Sequence, residues 1–270
     1  MNLPNFDKAF TDYFFKWMED NRDNYEYLDQ MEADMPAVYE KFLDTPQDFL
    51  GGQKPGEFFE NYSDAHMLVD WARAYLDEGI ELPDMLLNRI CDLGDPEPLY
   101  PCLESGELDE MRMAAVTLLR EIGDTAKARE YILWQSAPYI PKELKDNALE
   151  SLEAIGEEAK PLMLSLLDSA DDEGKESLLS VLCGYGANDR VYEELIKLFE
   201  RKINKRAAIS AYLGKLGDER ALPLLIKAAA SVETPYLDYI EMRSAIEQLG
   251  GEAPERDFDE DEMYDRFMRQ

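Results

Sequence analysis

The chain has 270 residues, 45 % of them hydrophobic and 32 % charged, and its 28 Lys and Arg against 59 Asp and Glu leave a net charge of −31. A field of that sign repels phosphate backbones and anionic lipid surfaces, so nucleic acid and membrane are excluded as expected partners, while a basic protein or peptide is drawn in. Cys91, Cys102 and Cys183 form neither a C-x-x-C pair nor an even set, which points to a reducing compartment, here the cytoplasm, rather than to a disulfide framework.

At the N-terminus, Met1 to Phe15 carry Asp7 and Asp12 where a secretory leader would be basic, and no apolar run approaches the roughly 20 residues that span a bilayer. Residues 1–62 hold 14 of the 29 aromatic side chains. Phe6, Phe10, Tyr13, Phe14 and Trp17 fall on one face of a first predicted helix, and a second covers Met35 to Leu43. Thr45-Pro46-Gln47-Asp48 reads as an N-cap followed by proline, with Gly51-Gly52 stopping the short helix it starts. The segment is expected to be an all-helical cap on the open end of a repeat array.

From residue 63 to 250 the organisation changes. Gly94, Gly123, Gly156, Gly186, Gly217 and Gly250 recur at 29 to 33 residues, each after an apolar residue. A period in that range marks such an array. Four residues before each glycine stands Ile90, Leu119, Leu152, Leu182, Leu213 or Ile246. Eleven before stand the bases Arg112, Lys145, Lys175 and Arg206, and one after stand the acids Asp95, Asp124, Glu157 and Asp218. The run before each glycine has helical periodicity, the glycine takes the left-handed cap, and the acid begins the next helix. B helices are thus predicted near 83–93, 108–122, 142–155, 172–185, 203–216 and 236–249. A helices are predicted near 64–78, 124–135, 157–168, 188–200 and 218–231, and Pro96, Pro98 and Pro101 make 95–104 short or irregular. The last segment, 251–270, is strongly acidic and reads as a tail or a short amphipathic helix through Phe258, Met263 and Phe267.

The stretches RAAISAYLGKLGDERALPLLIKAA (206–229) and LESLEAIGEEAKPLMLSLL (149–167) resemble HEAT repeats of the short phycobilin-lyase type, and the resemblance extends over about 80–250. It is weaker at 172–200, where Ala187 replaces the acid, and at 236–250, where Arg243 lies seven residues before the glycine. The resemblance implies an all-α, right-handed superhelix whose B helices line a concave surface. The expected organisation is a helical N-terminal cap (1–62), a HEAT-like array (63–250) and an acidic tail or helix (251–270).

Two constellations are read on that scaffold. The base and acid columns are expected to pair into a ladder that sets repeat stacking, each pair contributing about 0–1 kcal/mol. The B-helix positions 13, 10, 6 and 3 residues before each glycine point to the concave face. They place Glu143, Asp146, Glu150 and Glu153 on one repeat, Glu173, Glu176, Ser180 and Cys183 on the next, and Glu110, Met113, Thr117 and Arg120 on the one before. Glu110, Glu143, Asp146, Glu150, Glu153, Glu173 and Glu176 therefore form a candidate partner-binding patch.

Enzyme classes fare worse. HEAT-repeat hydroxylases hold iron on several His-Glu dyads, whereas the single histidine, His66, is followed by Met67 and reads as a polar residue at a helix start. DNA glycosylases on HEAT-like repeats use a cationic concave face, which −31 contradicts. No G-x-S-x-G, Walker A or G-x-G-x-x-G is present. No catalytic residue, cofactor or metal is expected. The function expected is a non-catalytic interaction scaffold whose acidic concave face binds a protein or peptide. The alternative is a lyase-type or chaperone-like accessory acting on a chromophore or modified protein.

Overall fold

The computed structural model describes residues 3–258 and 263. Each glycine of the 29-to-33-residue series ends a helix. All six have φ between +66° and +80°, a backbone region that costs an L side chain and not glycine. One amphipathic helix precedes each glycine, and a short turn leads from it into the next helix. Among the described residues there are fourteen α-helices, several 3-10 segments and one isolated bridge between Gln47 and Gln53. The chain is an all-α helical-repeat protein. It forms two compact units, residues 1–125 and 126–270.

The first unit contains α1 (Phe6–Asn21), α2 (Leu28–Ala33), α3 (Met35–Asp44), α4 (Ala65–Asp77), α5 (Asp84–Leu93) and α6 (Asp109–Ile122). Asn5 starts α1 by accepting from the Lys8 amide at 2.8 Å. The aromatic face of α1 then buries itself: Phe6 lies on Phe58 and Phe59, both at 5.7 Å, and Phe10 and Tyr13 on Phe42, which is fully buried. Phe59 continues the cluster onto Trp71 of α4 at 5.7 Å. The Tyr75 hydroxyl donates to the Pro4 carbonyl, pinning the start of the chain to α4. Residues 3–62 thus pack on α4 and α5 within one unit.

One local expectation changes here. The Thr45 hydroxyl does not open the next helix. It donates to the Lys41 carbonyl at 2.6 Å, satisfying an otherwise open acceptor at the end of α3. The segment after it is a single 3-10 turn, Asp48–Leu50, with no side-chain cap, stopped by Gly51. The proline-rich stretch is a 3-10 helix, Glu97–Leu103, with Pro101 inside it.

The second unit contains α7 (Ala128–Trp134), α8 (Lys142–Ile155), α9 (Lys160–Leu166), α10 (Asp172–Leu182), α11 (Asp189–Arg201), α12 (Arg206–Leu216), α13 (Leu222–Ala229) and α14 (Tyr236–Gln248). Asp218 accepts from the Arg220 amide and opens the turn into α13. Where Ala187 replaces that acid, Asn188 takes over one residue later, accepting from the amides of Arg190 and Val191. The core follows the repeat. Ile90, Leu119, Leu152, Leu182, Leu213 and Ile246 are all fully buried. α12 and α14 approach closely at Gly214, where an added Cβ would lie 3.1 Å from the Ala245 Cα.

Beyond α14 the backbone is extended and turns back on the last pair. The Arg256 guanidinium donates to the carbonyls of Ala229, Val232 and Thr234. Phe258 is buried against Tyr236 and Tyr239, at 5.1 and 4.9 Å. Phe258 is therefore a strap residue and not part of the amphipathic helix expected through it. Met263 is helical, and Phe267 lies outside the described residues.

Candidate interaction groove

In the second unit α8, α10, the residues leading into α12 and Tyr212 of α12 border an open groove of about 590 Å³. Its position follows from the repeat, since successive B helices present the same register to one side. Asp146, Glu173 and Glu176 of the predicted patch line it. Glu143, Glu150 and Glu153 stand exposed along α8, at the same helical spacing as Asp146. Glu110 is exposed on α6 of the first unit and does not line the groove. Of the neighbouring positions assigned to this face, Cys183 is fully buried. Its thiol donates to the Ser180 carbonyl at 3.1 Å, and burial pushes it up to about 11.

The groove is not purely acidic. Lys142, Lys145, Lys202 and Lys205 line it as well. Lys142 pairs with Asp146, Lys205 with Glu176 at 3.0 Å and Lys202 with Asp172 at 3.1 Å. The hydrogen bond from Lys202 holds the Asp172 carboxyl below the usual carboxylate range, against an opposing effect of burial. Burial, followed by the charge of Glu176, raises the Tyr212 hydroxyl at the floor. Lys145 belongs to the base column, whereas Lys142, Lys202 and Lys205 fall outside the repeat positions. A signal existed in Arg201-Lys202-Ile203-Asn204-Lys205-Arg206, four bases in six residues of a chain carrying −31.

The base column does other work than the ladder expected of it. Lys145 donates to the Gln135 carbonyl at the end of α7, while the buried Gln135 amide donates back to the Lys145 carbonyl. Arg206 donates to the Phe199 carbonyl and lies over the Phe199 ring. Lys175 reaches Glu194 of α11, a buried carboxylate also held by Lys197, and those hydrogen bonds, Lys197 first, keep it below its ordinary value. None of these three bases meets Glu157 or Asp218. For Lys145 and Arg206 the reason is directional: a base in the first turn of a B helix sits beside the C-terminal end of the A helix before it, where open carbonyls and the negative dipole end attract a cation. Arg112 is buried and pairs with Asp109 at 3.1 Å.

His66 is exposed in the first turn of α4, behind the Asp64 cap. Among the described residues no group of three His, Cys, Asp or Glu is placed to hold a metal ion, and no helix is long and apolar enough to cross a membrane.

Residues 205–231 match the family model of the PBS lyase HEAT-like repeat. The match spans α12, the Gly217 turn and α13, one B helix and the A helix after it, and supports a HEAT-like repeat protein. No curated protein matches the chain.

Proposed function

On a scaffold of HEAT-like repeats, we propose that this chain is a non-catalytic interaction module that binds a predominantly basic protein segment along the α8 side of the groove, in the cytoplasm. The observation that carries this reading is the row of four exposed carboxylates on α8, Glu143, Asp146, Glu150 and Glu153. Spaced at three and four residues on one helical face, they run along α8 on either side of Asp146, which lines the open groove. The lysines at its other wall engage Asp172 and Glu176, and within the row Asp146 pairs with Lys142, so the row offers a partner an exposed face on which acid predominates. The overall field adds steering toward it, and it opposes a nucleic-acid or anionic-membrane partner.

The test replaces Glu143, Asp146, Glu150 and Glu176 together with lysine and measures binding of a fluorescent peptide of alternating lysine and serine at low and high salt. Binding should weaken at least tenfold, and its salt dependence should flatten. The fold should survive, because solvent-facing changes usually alter stability by less than about 0.5 kcal/mol each. Unchanged affinity at low salt would reduce the patch to a solvated surface. The family match favours a second reading, an accessory of the lyase type acting on a chromophore or modified protein. A pigment that co-purifies with the chain would support that reading over the scaffold.

A further inference from the structure

The first unit holds a separate cleft of about 210 Å³, where α1 and α3 meet the residues leading into α5. Its wall is aromatic, formed by Phe6, Phe10 and Tyr39, with the Phe10 and Tyr39 rings edge to face at 4.8 Å. Its rim is acidic, formed by the exposed Asp7, Glu81 and Asp84. Among the described residues none of these three carboxylates makes an ion pair or a side-chain hydrogen bond, in contrast to Asp146, Asp172 and Glu176 in the other unit, which each take a lysine. Asp7 and Asp84 stand in the first turns of α1 and α5, at the positive ends of those helix dipoles. Their field reaches the aromatic wall: burial first, then Asp84, Asp7 and Glu81, push the Tyr39 phenol above its ordinary value.

Ring faces are negative at their centres and attract cations, and uncompensated carboxylates at the mouth add to that attraction. The volume is below the roughly 300–1,000 Å³ of pockets for drug-sized ligands, so it suits one long side chain. A bare metal ion is disfavoured because the carboxylates do not converge as ligands. The geometry points to a docking cleft for an arginine side chain of a partner polypeptide, its guanidinium against Phe10 and Tyr39 and its N–H groups toward Asp7, Glu81 and Asp84. Arginine suits the site better than lysine, because its plane stacks on rings, its five donors serve several carboxylates and its hydration is weaker. This assignment does not rest on the α8 groove.

Met85 reports on the cleft, since its sulfur lies 3.9 Å from the Tyr39 hydroxyl. The full-length chain carrying ¹³C-methyl methionine is titrated with acetyl-Gly-Ser-Arg-Ser-Gly-amide and, separately, with the same peptide bearing citrulline, a neutral isostere. The arginine peptide should move the Met85 signal saturably, and the citrulline peptide should not. The D7N/E81Q/D84N variant, altered only at exposed positions, should keep its circular dichroism and lose at least tenfold in affinity. Tyr39→Leu should weaken binding with the carboxylates intact. The fourfold lysine variant of the α8 face should leave the Met85 response unchanged, so failure of one site is distinguishable from failure of the other. The assignment is overturned by the absence of a saturable Met85 shift, by an equal response to citrulline, or by wild-type affinity in the triple variant.

Discussion

Four residues before each repeat glycine the side chain is sealed from water, and this is the part of the molecule most legible at the residue scale. The glycine fixes where a helix stops, the stop fixes the phase, and one helical turn earlier the side chain must face its neighbours. The base column is equally regular, yet the partners of Lys145, Lys175 and Arg206 are not the ones its spacing suggests. Twelve residues separate a base from the acid after its own glycine, about 18 Å at the helical rise, so spacing alone never brings them together. Beside the base lies the end of the preceding helix, as Lys145 on the Gln135 carbonyl and Arg206 on the Phe199 carbonyl show. The buried pair of Lys175 with Glu194 depends on which turn of α11 packs on α10, and no sequence period carries that. The well-phased column makes a sharp prediction. Leu152→Ala and Leu213→Ala, both at fully buried positions, should each lower the free energy of unfolding by about 2–5 kcal/mol. Denaturant titration checks this, and a loss under about 0.5 kcal/mol at both would show that these leucines do not carry the core.

Helices with a glycine stop and a clear period are legible to within a few residues, α8 at both ends and α14 nearly so. Of the A helices, α4 and α11 lie within one residue of the expected ends, whereas α7, α9 and α13 are shorter than expected. Residues 157–168 divide into α9 flanked by 3-10 turns at 156–159 and 167–169, because a short helix lets its ends tighten to i→i+3 bonding. α2 is invisible in the sequence, its six residues being too few to show a period. The element least visible in sequence is the strap of residues 251–258, which has no period and gains its order from contacts with α13 and α14. Arg256 there repeats, on the carbonyls of Ala229 and Thr234, what Arg206 does one repeat earlier. Phe258→Ala should therefore destabilise the terminal pair by about 3 kcal/mol, the low end for a buried phenylalanine because one side of the strap faces water. Hydrogen exchange followed by mass spectrometry should show faster exchange in α14 and none of that change in α8. Equal rates in α14 of variant and wild type would mean that the strap is a passenger.

For the molecule as a whole, composition and period suffice for the fold class, because a repeat array needs only neighbour contacts. The same economy hides the partner, since one solenoid scaffold serves many functions. Part of the candidate groove is legible, namely the carboxylates that share a helix face. Lys202 and Lys205 are not, because they come from the connection between α11 and α12, which the folded unit brings beside the carboxylates. Charge acts on both levels. With 28 bases against 59 acids, at most half of the carboxylates can find a cation within the chain, and the remainder repel one another in the compact state. Salt acts on the two populations in opposite directions. It weakens exposed ion pairs such as Lys205 with Glu176, worth about 0–1 kcal/mol each, and it screens the surplus repulsion. The screening length falls from about 30 Å at 0.01 M to about 8 Å at 0.15 M, so repulsion between distant carboxylates disappears while close pairs keep part of their attraction. Repulsion should dominate. Raising sodium chloride from 0.01 M to 0.3 M at pH 7 should raise Tm by several degrees in differential scanning calorimetry. Chloride serves here because sulfate also strengthens burial through exclusion from the surface. A Tm that falls over the same range would show that the ion pairs outweigh the surplus charge.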